Sequence, residues 1–258
     1  MTSAVDTVLL SIGGPFARIT LNRPQKRNAL NDAMIVRLGE RLTEAARDEA
    51  VRAIVIEGVG EDFCSGADLS ELRRISGASV AENQDDARLL MELFLQIRNT
   101  RVPVIAAVRG RALAGGCGLA SICDLVLAAE SARFGYPEVR IGFVPAMVMA
   151  ILRRNVSEKR AFELITRGEQ ISAVEARRIG LVNQVYPDKS FRENVDDYVD
   201  HFRTVSASAV ALTKALLYRM DGQAFAEALA AGVDMNVIAR MTDDCQKGIA
   251  RFLDARDP

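Results

Sequence analysis

The stretch Pro103-Val-Ile-Ala-Ala-Val108, followed by Arg109-Gly-Arg-Ala-Leu-Ala-Gly-Gly-Cys-Gly118, decides how the chain folds. The apolar run after Pro103 predicts a short buried strand over 104–108. Residues 110–114 then read as a loop, and Gly115 opens a short helix through Ile122. The same order occurs earlier. Residues 53–57 (AIVIE) predict a buried strand, and Phe63-Cys-Ser-Gly-Ala-Asp-Leu69 lies in a glycine-containing loop. Helical patterns then cover about 68–75 and 84–99. Both units carry small residues where a backbone can approach a ligand closely. A helix N-terminus leaves free N–H groups with partial positive charge. Two such groups converging on one oxygen would form an oxyanion hole. Either loop alone reads as a tight turn; the pair is the chemical signal.

Outward from these loops, the N-terminal part predicts strands over 7–12 and 16–21, split by the turn Gly13-Gly14-Pro15. Ile35, Leu38, Leu42 and Ala45 lie at helical spacing and predict a helix over about 31–48. Further on, a strand is expected over 125–129 and helices over 146–154 and 158–166. Ser172-Ala-Val-Glu175 fits a capping box, Gly180 fits a helix stop, and 181–186 reads as the last strand. From Phe191 the pattern is helical. The expected organisation is an α/β core over 1–190 and an all-helical region over 191–258.

Composition removes several chemistries. The 258 residues hold 33 Lys plus Arg, 34 Asp plus Glu, one histidine, four cysteines and no tryptophan, for a net charge of −1. A single histidine excludes any multi-histidine metal site, and no metal is expected. A Ser-His-Asp triad would need His201, whose setting Asp196-Asp-Tyr-Val-Asp-His-Phe202 reads as a surface helix. Near-neutral charge argues against a nucleic-acid footprint. No apolar run has the length of a membrane span. Residues 1–6 show no leader pattern and the cysteines form no C-x-x-C pair, so reduced thiols in the cytoplasm are expected. The phosphate loop, the dinucleotide fingerprint and the nucleophile elbow are all missing.

Taken together and in order, the motifs resemble the crotonase superfamily, the enoyl-CoA hydratases and isomerases. The resemblance rests on Leu21-Asn-Arg-Pro24 with Asn28-Ala-Leu30, then 63–69, then Pro103 through Cys123-Asp124. It continues in Phe134-Gly-Tyr-Pro-Glu138 with Ile141-Gly142, in 171–176 with Gly180-Leu-Val182, and in 248–256. It implies an α/β fold: a crotonase-type spiral of ββα repeats with a C-terminal all-helical trimerisation region, assembled as a homotrimer or homohexamer. It implies an acyl-CoA thioester as substrate, with coenzyme A arriving as part of it and no cofactor bound permanently. The backbone N–H groups of Ala67 and Gly115 would hold the thioester oxygen, and Glu138 would be the general acid/base. Arg23, Lys26 and Arg256 would meet CoA phosphates, and the backbone of Cys64, Ser65, Gly66 and Ala67 the adenine. Asp68, Leu69, Gly116, Gly118, Tyr136, Met147 and Met149 would line the acyl pocket.

One departure matters for the reaction. Hydratases of the family carry a second glutamate three residues after the oxyanion glycine, and here that position is Gly118. The family resemblance favours reversible hydration of a 2-enoyl-CoA. Gly118 favours the alternative, isomerisation of 3-enoyl-CoA to 2-enoyl-CoA with Glu138 as single base. Hydrolysis or decarboxylation through the same oxyanion hole, a non-catalytic acyl-CoA-binding paralogue and an RNA-binding paralogue are further readings. Asp68 and Asp124 are the candidate substitute carboxylates. Glu138 is expected to face an apolar pocket that raises its pKa.

Overall fold

The computed structural model describes residues 6–254. The first half of the chain runs β1 (Val8–Gly13), β2 (Phe16–Leu21), α1 (Asp32–Arg47), β3 (Ala53–Gly58), α2 (Leu69–Gly77), α3 (Val80–Asn99), β4 (Val104–Val108), β5 (Arg111–Leu113), α4 (Gly115–Ile122), β6 (Leu125–Ala129) and β7 (Arg133–Gly135). It continues with α5 (Ala146–Asn155), α6 (Glu158–Arg167), β8 (Gln170–Ser172), α7 (Ala173–Arg178), β9 (Gln184–Tyr186), α8 (Phe191–Asp200), α9 (Ala207–Arg219), α10 (Phe225–Arg240) and α11 (Asp243–Asp254).

Two sheets result. The larger has the order β1-β2-β3-β4-β6-β9, antiparallel between β1 and β2 and parallel elsewhere. The smaller has the order β5-β7-β8. Successive turns of the chain add one strand to each sheet: β4 then β5, β6 then β7. An isolated bridge between Cys64 and Ala112 extends the small sheet back to the loop after β3. This is the spiral that the resemblance implies, and helices fill the spaces between its turns.

Alternation along the strands sorts their side chains to two faces. Ile54, Ile56, Val104, Ala106 and Val108 point into the main core, where α1 buries Met34, Ile35, Leu38, Leu42 and Ala45. Asn31 caps α1 by accepting the Met34 N–H at 3.1 Å, which fixes that face toward the sheet. Val55, Ile105, Ala107, Leu127 and Ala129 point the other way and pack on Phe191, Val195 and Val199 of α8. The first helix beyond residue 190 is therefore part of the core, closing the second face of the large sheet. His201 lies exposed in the 3-10 turn after α8. No helix among the described residues is long and apolar enough to cross a membrane.

The long strands and helices lie close to their expected bounds, with three differences. α3 begins at Val80, because Ser79 and Glu82 form a capping box ahead of the apolar pattern. The run 181–186 pairs only over Gln184–Tyr186. Of the small sheet, β5 falls where a loop was expected, and β7 and β8 fall where no strand was expected. Ser172 does accept the Glu175 N–H as an N-cap, but the Glu175 carboxylate turns to Arg178 rather than back to the cap.

One buried ion pair joins the C-terminal helices to the core. Lys214 of α9 donates to Asp124 at 2.6 Å and to the carbonyls of Ile97 and Val102, both at 3.0 Å. Asp124 also accepts the Val104 N–H and the Tyr218 hydroxyl, each at 2.6 Å. Burial pulls the Lys214 amine below its ordinary range, against the attraction of Asp124. Lys214→Met leaves a buried carboxylate and two carbonyls without their cation. A loss of about 3–5 kcal/mol is expected, read from the midpoint of a urea unfolding curve.

Candidate active site

The two glycine loops lie side by side. Cys64 donates its N–H to the Arg111 carbonyl and accepts the Leu113 N–H, both at 3.0 Å. Two residues on, Gly66 adopts φ +97° and packs against the start of α4. A Cβ at Gly66 would stand 2.8 Å from the Ala114 Cβ and 3.6 Å from the Gly115 nitrogen, so only glycine permits this approach. On the other edge of the loop, Leu30 donates to the Gly66 carbonyl at 2.7 Å and accepts the Asp68 N–H at 2.8 Å. In this parallel bridge the Ala67 N–H faces away from Leu30.

Neither the Ala67 N–H nor the Gly115 N–H donates to a described residue. Gly115 is the first residue of α4, so its N–H is one of the four that no helical carbonyl can satisfy. Its neighbour Ala114 is held at φ 51°, ψ −128°, a strained conformation for a residue with a Cβ. A 2.9 Å bond from the Ala114 N–H to the Gly135 carbonyl of β7 holds it there. Two free N–H groups, from two neighbouring loops, thus share one locality at the positive end of a helix.

Glu138 enters from the strand that anchors Ala114. After β7 the chain turns through a 3-10 segment, Pro137–Ile141, closed by Gly142 at φ 76°. The Glu138 Oε2 is buried and has no hydrogen-bond partner among the described residues. Desolvation pushes its carboxyl above the ordinary range. Burial drives the Cys117 thiol up to about 11 and the Cys64 thiol up to about 12. Both stay protonated near neutral pH, so neither is a poised nucleophile. The four cysteines are free, and three of them are buried.

The other expected site residues divide. Lys26 is exposed on the 3-10 turn Pro24–Lys26, open to an anionic group, and Ser65 is half-buried in the first loop. Arg23 is spent internally: it donates to the Ala29 carbonyl at 2.6 Å and to Asp68 at 2.7 Å. Asp68 caps α2 through the Ser70 N–H, and these partners hold its carboxyl down at about 2. Arg23 and Asp68 therefore clamp the first loop to the Asn22–Leu30 segment. Tyr136 is wholly buried and shares a 3.0 Å hydrogen bond with Ser121, so it backs the site without a surface for ligand. Gly116 is wedged against Cys64, where a Cβ would stand 2.3 Å from the Cys64 carbonyl oxygen. Gly118 is buried under Val148 and Phe94. Met147 and Met149 are half-buried and pack on the core. Leu69 opens α2. Arg256 lies outside the described residues. Asp124 is fully engaged by Lys214, Tyr218 and Val104, which leaves Glu138 as the one carboxylate of the set not already paired.

Comparison with known proteins gives the same class. The enoyl-CoA hydratase/isomerase family model matches residues 12–258. A putative enoyl-CoA hydratase of Thermus thermophilus is 38% identical over 245 residues, covering 95% of this chain and 97% of the relative. The 2,3-dehydroadipyl-CoA hydratase of Escherichia coli is 35% identical, covering 93% and 92%. Among solved structures, an enoyl-CoA hydratase of Mycobacterium smegmatis superposes with a TM-score of 0.93 at 34% identity, covering 98% of each chain. The chain belongs to the enoyl-CoA hydratase/isomerase family, within the crotonase fold, and family membership makes it an enzyme of acyl-CoA chemistry.

The raised pKa of Glu138 has a stability consequence. The folded state holds the Glu138 proton more tightly than the unfolded chain does. That contribution is complete below the ordinary carboxylate range, near 4.3, and is lost as pH rises through the folded value. Glu138→Gln removes the buried charge. The variant should melt above the wild type at neutral pH, with the difference shrinking toward roughly pH 4, as read from thermal melts across that range.

Proposed function

We propose that this protein isomerises 3-enoyl-CoA thioesters to 2-enoyl-CoA, with Glu138 moving one proton and the Ala67 and Gly115 N–H groups holding the thioester oxygen. The single observation that carries the choice is the packing over Gly118. The place of a second carboxylate is taken by Val148 and Phe94, and the remaining acidic groups nearby are already paired. The sequence favoured hydration; the packing reverses that order.

The steps balance with one carboxylate. The C2–H bond breaks, its proton goes to Glu138, and the electron pair delocalises through the thioester carbonyl onto oxygen. Two N–H donors stabilise that negative charge, each worth roughly 3–4 kcal/mol in a dry site. Glu138, now a carboxylic acid, returns the proton to C4. The C3=C4 π bond breaks as a C4–H bond forms, the electron pair held on the enolate becomes a new C2=C3 double bond, and the carbonyl is restored. Burial makes Glu138 more basic, which suits a group that must take a weakly acidic proton. Hydration of 2-enoyl-CoA is the second reading, favoured by the hydratase names of the relatives. It would require Glu138 alone to handle the water.

Coenzyme A would enter as part of the substrate, with exposed Lys26 available to its phosphates. Assembly as a homotrimer or homohexamer is supported by α10. Phe225, Leu229, Val233, Val237 and Met241 recur every fourth residue along it, and all are exposed. A cytoplasmic enzyme fits a chain with four free cysteines.

Three measurements test this reading. Wild type should convert 3-enoyl-CoA to the conjugated thioester faster than it hydrates 2-enoyl-CoA of the same length. Glu138→Gln should lose on the order of 10²–10⁴ in kcat with KM little changed. The acid limb of kcat/KM should lie above the ordinary carboxylate value of about 4.3, because Glu138 must be ionised to act. Faster hydration by wild type would end the isomerase reading. Separately, Leu229→Asp with Val233→Asp should yield a smaller species by sedimentation, with secondary structure retained by circular dichroism.

A further inference from the structure

We infer that Val148, supported by Phe94, determines the reaction outcome by occupying the space that a side chain at position 118 would need and keeping that wall of the site dry. The inference rests on the isomerase reading and assigns its specificity to a residue outside the sequence motifs. Gly118 stands one helical turn after Gly115, on the same side of α4. A Cβ there would meet the Val148 Cγ2 at 2.7 Å and the Phe94 Cζ at 3.4 Å. Val148 comes from α5 and Phe94 from α3, and each is only 4% exposed.

Valine is stiff at χ1 within a helix, so the contact cannot be relieved by an easy rotation. The first atom of any larger residue at 118 is therefore refused, before a carboxylate is considered. The same wall offers water nothing. A buried water needs two to four polar partners, whereas Val148 and Phe94 present only carbon. Glu138 Oε2 is left as a lone buried acceptor beside the helix. A single carboxylate can carry a proton between two carbons of the substrate, whereas hydration asks the same group to orient a water as well.

The test opens the wall. Gly118→Glu alone should fold poorly or remain without hydratase activity, because Val148 is in the way. Gly118→Glu combined with Val148→Ala should fold and should raise hydration of 2-enoyl-CoA relative to isomerisation of 3-enoyl-CoA by about tenfold or more. Adding Glu138→Gln should remove that gain. A structural control needs no turnover. Gly118→Ala should lower the melting temperature, and should lower it much less in a Val148→Ala background. A folded double variant with an unchanged ratio of the two reactions overturns this inference and leaves the isomerase reading standing. Gly118→Ala that costs the same in both backgrounds overturns it as well. A wild type that hydrates faster than it isomerises ends the isomerase reading, and this inference with it.

Discussion

Everything chemical in this molecule depends on the close approach of two backbones, at Gly66 and at Ala114–Gly115. The approach is built by short parallel pairing between Cys64 and β5 and completed by the missing Cβ of Gly66. It brings two peptide N–H groups from segments almost fifty positions apart into one locality, with no side chain involved. The proposed oxyanion hole would therefore ask nothing of the single, exposed histidine. Preorganised peptide dipoles need no proton exchange to act and no reorganisation at the moment of reaction.

The surroundings maintain that approach from each direction. Asn28 donates to the carbonyls of Val59 and Asp62, at 3.0 and 2.8 Å, and shapes the turn beside the first loop. Arg23 and Asp68 tie the same loop to the N-terminal segment. Asp62 grips Arg111 through both guanidinium and backbone contacts, at 2.7 to 3.0 Å, which fixes the entry to β5. Strain at Ala114 is held from the other side by β7. Polar residues next to the loops thus serve their geometry, and Glu138 differs from them in that its buried Oε2 has no described partner.

Most of the large sheet was legible because its strands are continuous apolar runs, as expected for parallel strands buried on both faces. The bounds of β4, α4 and β6 follow from Pro103, Gly115 and the run 125–129. The small sheet was not legible. Three-residue strands such as Arg111–Leu113 and Gln170–Ser172 have no room for a periodic pattern, and they exist only because neighbouring turns of the spiral lie beside them. The site shows the same division. Ala67, Gly115 and Glu138 are marked by local motifs, whereas Val148 and Phe94 lie on other helices and carry no signal but apolarity. The Arg23–Asp68 pair was illegible for a related reason: charge is visible in a sequence, but the partner it finds is not.

The Lys214–Asp124 pair has a consequence for how the molecule comes apart. Helices α9 to α11 end the chain, the usual place for fraying. Here, detaching α9 removes Lys214 and Tyr218 together and would strand Asp124 and the carbonyls of Ile97 and Val102 at the ends of α3, β4 and β6. Opening that boundary breaks several hydrogen bonds to a buried cation together, which couples the tail to the sheet. Any partner that grips the exposed face of α10 therefore pulls on the whole body rather than on a loose appendage.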